Sequence, residues 1–138
     1  FRLLGARTTV LARLDDNTKR LHPQAAAEAR EPKKAELDAA LTQLADDVAR
    51  ANGRGLETTV YVTYAGHGSV DQGRGQVTLE DARLTGTDLA KALAKVPAKH
   101  IHLVVDACSS YFLAYARGPG GKRRAVQSFA ADRELASA

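Results

Sequence analysis

The chain has 138 residues, of which 44% are hydrophobic and 26% are charged, and its formal net charge is +4. These proportions are ordinary for one globular domain and argue against collagen, a coiled coil and wholesale disorder. No apolar run approaches the ~18 residues of a membrane span. The first ten residues lack the succession of basic, apolar and small residues that marks a secretory signal. We therefore expect a cytoplasmic protein without a membrane partner. Because the chain starts with Phe1 instead of Met, we also expect a fragment or a processed piece.

The single cysteine, Cys108, excludes an intramolecular disulfide framework and a cysteine-rich zinc site. A basic net charge suits nucleic acid, but aromatic residues make up only 5% of the chain and Trp is absent. That is too few for a surface on which bases stack, so nucleic acid is not the partner we expect. The paired acidic residues do not follow the spacing of a calcium-binding loop. We expect neither a metal nor another cofactor.

The first part of the chain predicts one strand and one long helix. Residues 8–14 are a short apolar run closed by acidic residues, which predicts a buried strand that ends in a turn. Residues 18–32 are polar and alanine-rich and contain two prolines, which favours a loop or a frayed helical turn. Residues 33–52 place apolar side chains at spacings of three and four. This pattern predicts an amphipathic helix that stops near Gly53.

The middle of the chain predicts a strand followed by a hairpin. Residues 58–65, TTVYVTYA, are β-branched and aromatic and carry no charge. They predict a central strand that is buried on both faces. Residues 71–75, DQGRG, have the composition of a turn, and residues 76–84 are a candidate hairpin arm.

A second helix and a third strand complete the pattern. Thr85 and Asp88 have the spacing of a capping box and predict the start of a helix. Residues 100–105, HIHLVV, predict a strand, and residues 109–116 a turn into a helix. The order strand, helix, strand, helix, strand implies parallel strands joined by right-handed crossovers. The predicted class is α/β, a mostly parallel sheet with helices on its faces.

One domain over residues 1–138 accounts for this pattern. Residues 117–124, RGPGGKRR, predict a flexible basic loop. Residues 125–138 show little pattern, and we expect both segments to be flexible or subject to processing.

Two predicted strands end in residues that can carry chemistry. Strand 58–65 leads into His67, and strand 100–105 leads into Cys108. If these strands are parallel neighbours, their carboxyl ends share one edge of the sheet, where the sites of open α/β sheets lie. An imidazole beside a thiol can act as its base or stabilise the thiolate, which attacks an acyl carbonyl. Glycines leave the backbone around His67 open, so the N–H groups of Gly68 and Cys108 can face a developing oxyanion.

Each candidate residue also has a structural interpretation. A single cysteine at a strand end is most often a core residue, and a histidine between glycines can belong to a turn. Asp106 can cap the turn that follows it. His100 and His102 alternate onto one strand face, which is typical of packing or edge residues, and their spacing does not supply a zinc site. The basic run at residues 122–124 is of a kind that usually forms a solvated loop.

The sequence around both strand ends resembles a known enzyme family. The segments YAGHG at residues 64–68 and DACSS at residues 106–110 are similar to the catalytic motifs of caspase-like cysteine peptidases. The metacaspases and the bacterial caspase homologues are the most similar branch, and the resemblance covers about residues 8–116. It implies a three-layer caspase-like fold, with a mostly parallel sheet and helices on both faces. It also implies that this chain is a large-subunit-like part, completed by a second chain or a small-subunit-like segment.

The resemblance implies roles for individual residues. His67 corresponds to the catalytic histidine and Cys108 to the nucleophile. Asp106 and Ala65 correspond to the S1 pocket, in which the aspartate pairs with a substrate Arg or Lys. The chain departs from the family where SSY follows the cysteine in place of His-Ser-Gly and where Ala65 replaces a serine. Some relatives respond to calcium, but the chain has no calcium-loop spacing.

These observations predict a cysteine endopeptidase that cleaves protein or peptide substrates after Arg or Lys through a Cys–His dyad. Such an enzyme can cut its own exposed basic loop. The candidate processing sites are Arg117, Lys122, Arg123 and Arg124. The alternative is a catalytically inactive caspase-like scaffold, or a basic module that binds a partner protein or nucleic acid.

Overall fold

The computed structural model describes residues 6–114 of the chain. The helices are α1 (Asp16–Leu21), α2 (Pro23–Glu28), α3 (Lys34–Asn52), α4 (Gly86–Leu93) and α5 (Tyr111–Ala114). The strands are β1 (Thr59–Gly66), β2 (Gly68–Asp71), β3 (Arg74–Thr78), β4 (Arg83–Thr85) and β5 (His100–Ala107). The structure is mixed α/β with helices and a small parallel sheet, which confirms the α/β class, while the described residues contain one parallel and two antiparallel strand pairs. The predicted basic loop, residues 117–124, and the segment 125–138 lie outside the described residues.

Residues 8–14 do not form the predicted sheet strand. Leu11 makes one isolated parallel bridge with Arg30. In this bridge Ala12 N–H donates to Arg30 O at 2.9 Å, and Arg30 N–H donates to Val10 O at 3.0 Å. The prediction was wrong because an apolar run does not specify its pairing partner, and this run lies against residue 30 instead of against β1 or β5. Residues 18–32, predicted as a loop or a frayed turn, contain the short helices α1 and α2.

Helix α3 forms where the apolar stripe predicts it. Val48 on this stripe is buried in a cluster with Val60 of β1. The N-terminus is capped from a distant part of the chain, because the Asp81 carboxylate accepts a hydrogen bond from Lys34 N–H at 2.8 Å. Gly53 is the C-cap, with right-handed φ −62° and ψ −18°. The helix therefore ends where the sequence predicts.

Strands β1 and β5 pair in parallel, from Thr59 opposite His100 to Gly66 opposite Ala107. Alternate residues of β1 face the core, and Val60 is buried there. The intervening side chains are exposed, so the prediction that this strand is buried on both faces is wrong for the described residues. The reason is that α3 and α4 both pack on the face that carries Val60. Within residues 6–114, the parallel sheet accordingly has two strands and one covered face.

The predicted hairpin and the predicted capping box are present. Strands β2, β3 and β4 form an antiparallel sheet, and β2 and β3 are joined through Gln72 and Gly73. Both turn residues have positive φ, +47° and +76°, which is the two-residue turn whose twist matches a hairpin. Helix α4 begins at a capping box in which the side chains of Thr85 and Asp88 each bond the other's backbone N–H. This sheet closes over a second apolar cluster around Val77, which is 1% exposed.

Candidate active site

The parallel pairing of β1 and β5 brings His67 and Cys108 to one edge of the sheet. The last paired residues are Gly66 and Ala107, and neighbouring strands lie about 4.8 Å apart. His67 and Cys108 are the next residues along the two strands. Both are exposed. The fold therefore places an imidazole and a thiol at adjoining strand ends where solvent reaches them.

The backbone of His67 is held by the hairpin and by a tyrosine. His67 lies between β1 and β2 and is flanked by Gly66 and Gly68. Its carbonyl oxygen accepts a hydrogen bond from Thr78 N–H at 3.0 Å and another from the Tyr64 hydroxyl at 2.7 Å. The imidazole itself is exposed, whereas these hydrogen bonds fix the position of the His67 backbone.

Cys108 lies on a sharp turn between β5 and α5. Ser110 N–H donates to Ala107 O at 3.3 Å, and Phe112 N–H donates to Ser109 O at 2.9 Å. Ser109 has a φ of +59°, a left-handed conformation that a residue other than glycine adopts at a cost. A strand-to-helix turn of this kind presents a nucleophile at the tip of a sheet. The thiol of Cys108 is exposed at this tip.

Gly68 brings the start of the hairpin directly against the Cys108 turn. A Cβ at position 68 would overlap the Cys108 carbonyl oxygen and lie 3.1 Å from Ala107 Cβ. The hydrogen bond from Thr78 N–H to His67 O makes Gly68 and Val77 a pair without mutual hydrogen bonds. The N–H of Gly68 therefore points away from β3. Gly68, predicted as an oxyanion donor, adjoins the predicted nucleophile, and its catalytic role stays a prediction.

The two residues predicted for the S1 pocket are cross-strand neighbours. Ala65 of β1 lies opposite Asp106 of β5, and both are exposed on the face of the sheet that α3 and α4 do not cover. The same face carries a stacked pair, Tyr61 and His102, with ring centroids 4.7 Å apart. His102 thus packs on a tyrosine, as the structural interpretation of this histidine expects. Asp106 has an exposed carboxylate next to a small side chain.

Several exposed carboxyl groups have pKa values that neighbouring hydrogen bonds and charges lower. Arg13 donates to Glu80 at 2.5 and 2.8 Å, and these hydrogen bonds lower the pKa of the Glu80 carboxyl. A hydrogen bond from Lys33, followed by its charge, lowers the pKa of Glu31. Hydrogen bonds from Thr85 lower the pKa of Asp88 at the start of α4. The exposed ion pairs Arg13–Glu80 and Lys33–Glu31 contribute little stability individually.

Within residues 6–114, no three His, Cys, Asp or Glu side chains lie close enough together to hold a metal ion. None of the helices in this range combines the length and the apolar character needed to cross a membrane. The candidate processing sites, Arg117 and residues 122–124, lie outside the described residues.

Sequence reasoning missed two features of this edge. The Tyr64 hydroxyl contacts the backbone of His67, and the sequence signal for it is a tyrosine three residues before the histidine with Gly66 between them. A Cβ at position 66 would lie 2.8 Å from the Tyr64 hydroxyl oxygen, so the glycine leaves room for this contact. The left-handed backbone of Ser109 has no comparable signal, because serine rarely adopts that conformation.

Comparisons of this chain with protein-family models, with curated proteins and with solved structures found no match. The interpretation of the site therefore depends on the residues and geometry of the chain itself.

Proposed function

We propose that this chain is the part of a caspase-like cysteine endopeptidase that carries its Cys–His dyad. The observation that carries the proposal is the parallel register of β1 and β5, which sets His67 and Cys108 one residue beyond the paired Gly66 and Ala107. The exposure of Cys108 adds support, since cysteines that serve only packing are usually buried.

The proposed reaction is acyl transfer to sulfur followed by hydrolysis. His67 takes the thiol proton of Cys108, and the sulfur attacks the carbonyl carbon of the scissile peptide. The C–N bond breaks as the imidazolium gives this proton to the leaving amine. Water then attacks the thioester, His67 accepts one proton from that water, and the Cys108 thiolate leaves. One peptide bond and one water thus become a carboxylic acid and an amine.

Two backbone donors serve the oxyanion in this proposal. They are the N–H groups of Gly68, which points away from β3, and of Cys108 itself. The close approach of the Gly68 backbone to the Cys108 carbonyl supports the assignment, since it brings the two residues together. A donor of this kind is typically worth about 2.7–4 kcal/mol of transition-state stabilisation.

Asp106 is the proposed determinant for Arg or Lys at the P1 position of the substrate. Its carboxylate lies two residues before Cys108, and Ala65 opposite it leaves room for a long side chain. A carboxylate accepts two parallel hydrogen bonds from a guanidinium and one from an ammonium group. We therefore expect Arg to be preferred over Lys.

The three-layer caspase-like fold is also part of the proposal. Parallel sheets almost always have both faces covered, whereas β1 and β5 expose one face within residues 6–114. A second chain or a further segment that adds strands at the edges of the sheet and helices on that face would complete the sheet and enclose Asp106.

A panel of fluorogenic peptides that vary P1 among Arg, Lys, Asp and Leu tests the proposal. We expect turnover of the Arg and Lys peptides, no turnover by Cys108→Ala, and a loss in kcat of about 10²–10⁴ for His67→Ala. His102→Ala, which removes an exposed histidine from the same sheet, is the matched control and is expected to retain wild-type kinetics. Asp106→Asn should lower kcat/KM for the Arg peptide more than for the Leu peptide.

Several results would contradict the proposal. Unaltered turnover by Cys108→Ala would refute the assignment of Cys108 as the nucleophile. An equal effect of Asp106→Asn on the Arg and Leu peptides would refute the assignment of Asp106 to the S1 pocket. Absence of turnover, together with slow alkylation of Cys108 by iodoacetamide that does not depend on His67, would favour the inactive scaffold.

Self-cleavage is a further part of the proposal. A peptidase specific for basic residues is expected to cut after Arg117 or within residues 122–124. Mass spectrometry of the wild type and of Cys108→Ala distinguishes this from cleavage by a contaminant. Identical fragments in both samples would exclude self-processing.

A further inference from the structure

The Tyr64 hydroxyl contacts both partners of the backbone pair that holds His67. Its oxygen lies 2.7 Å from the carbonyl oxygen of His67 and 2.9 Å from that of Thr78. The single Thr78 N–H is shared between the His67 carbonyl at 3.0 Å and the Tyr64 hydroxyl oxygen, which accepts at 3.1 Å. Because a phenol carries one proton, it donates to one carbonyl at a time while it accepts from Thr78. The hydroxyl therefore bridges the junction of β1 and β2 to the end of β3.

This bridge takes the place of a regular rung of the sheet. In an antiparallel ladder, His67 N–H would be the donor to Thr78 O, the carbonyl that the hydroxyl reaches. His67 lies outside both β1 and β2. The tyrosine thus supplies its O–H as the donor to Thr78 O at the point where the strand is interrupted.

The Tyr64 ring is anchored, so its hydroxyl is held in place. The ring packs against the buried cluster that contains Val77 and Leu89. A tyrosine has only two side-chain torsions, and packing of the ring restricts both of them. Gly66 leaves room for the hydroxyl, because a Cβ at that position would lie 2.8 Å from the oxygen.

Within residues 6–114, the side chain of His67 has no comparable support, since it is exposed and both of its neighbours in sequence are glycines. We infer that Tyr64 is a positioning residue, whose hydroxyl fixes the His67 peptide and thereby sets the imidazole relative to Cys108. This inference rests on the proposed function and assigns to it a residue beyond the dyad, the oxyanion donors and the S1 pocket. A displacement of about 1 Å in a catalytic group can cost about 100-fold in rate, so a flexible junction would impair the dyad.

The test compares Tyr64→Phe with two control variants. Tyr64→Phe keeps the packed ring and removes only the hydroxyl. Thr63→Val removes a hydroxyl from the neighbouring, exposed position of β1 and controls for loss of a polar group. Val60→Ala weakens the other apolar cluster on the same strand and controls for loss of stability.

Two rates are measured for each variant across pH 5 to 9. The first is alkylation of Cys108 by iodoacetamide, which needs no peptide substrate, and the second is hydrolysis of an Arg-P1 peptide. We expect Tyr64→Phe to lower alkylation near pH 7 about 10-fold, toward the value of His67→Ala. We expect it to lower kcat about 10-fold with KM within twofold of the wild type. Both controls should retain the wild-type pH profile.

The outcomes separate this inference from the proposed function. If Tyr64→Phe retains the wild-type profile, or loses no more than Val60→Ala, the positioning role is refuted while the peptidase proposal stands. If the wild type cleaves no peptide but its alkylation depends on both His67 and Tyr64, the positioning role stands and the peptidase proposal fails. Alkylation that does not depend on His67 in the wild type refutes both.

Discussion

The substitution Gly68→Ala tests the close contact between the hairpin and the Cys108 turn. The added methyl group would overlap the Cys108 carbonyl oxygen and lie 3.1 Å from Ala107 Cβ. Backbone of β2 and backbone of the turn meet at this point, so rotation of a flexible side chain cannot relieve the overlap. One of the two segments has to move.

The size of the effect follows from that contact. Carbon and oxygen atoms in contact normally lie ~3.3–3.6 Å apart, so the two segments must separate by more than about 1 Å. Inserting a methyl group into a packed site costs about 1–3 kcal/mol of unfolding free energy. With a urea slope of about 2 kcal/mol per molar, a 2 kcal/mol loss lowers the midpoint of unfolding by about 1 M. A 1 Å displacement of Gly68 N–H and His67 relative to the thiol should lower kcat/KM about 100-fold.

Urea unfolding and Cys108 alkylation are measured on Gly68→Ala and on a matched control, Gly53→Ala. Gly53 has a φ of −62°, which alanine adopts freely, and its Cβ would lie 3.5 Å from Ala49 O in ordinary contact. The control is expected to gain about 0.4–1 kcal/mol, because alanine restricts the unfolded chain. Wild-type stability together with a wild-type alkylation rate in Gly68→Ala would refute the close contact and the shared edge that depends on it.

Two further predictions concern the framework around the site. Asp88→Asn should destabilise the protein near neutral pH, because hydrogen bonds from Thr85 lower the pKa of the folded Asp88 carboxyl. This contribution is fully present above the unfolded pKa of about 3.9 and is lost as the pH falls through the folded pKa. The unfolding free energies of the two proteins, measured by urea titration, should therefore converge in acid. A constant difference down to pH 2 would contradict the prediction. Val77→Ala should cost about 1–3 kcal/mol of unfolding free energy because Val77 is 1% exposed. The control Val70→Ala, at a 42% exposed position of the same sheet, should change stability by less than about 0.5 kcal/mol. Equal losses of the two variants in urea unfolding would contradict the assignment of the core.

The elements that the sequence predicts well are those specified by neighbouring residues. Helix α3 follows from an apolar stripe, and the start of α4 follows from Thr85 and Asp88. The turn at Gln72 and Gly73 follows from the glycine, which tolerates a positive φ, and from Asp71, a residue type frequent in turns. Each of these signals extends over a few residues, because helical hydrogen bonds, caps and two-residue turns are themselves local.

The pairing of distant segments was decided by tertiary structure. Residues 8–14 have the apolar pattern of a strand, but they bridge Arg30 and stay outside both sheets. Asp81 caps a helix that begins 47 residues earlier, and no local sequence pattern predicts this contact. Such contacts depend on which surfaces meet when the chain folds, and composition or periodicity cannot rank the possible partners.

The candidate site likewise has features that the sequence predicts and features that only the tertiary structure decides. The sequence by itself determined which residues can carry the chemistry, since His67 and Cys108 each follow a strand-like run of apolar residues. Only the tertiary structure decided that β1 and β5 are direct neighbours, that Gly68 lies against the Cys108 carbonyl, and that the Tyr64 hydroxyl holds the His67 peptide. The physical reason is that residue type fixes reactivity locally, whereas the distance between two reactive groups depends on the pairing and packing of the whole chain.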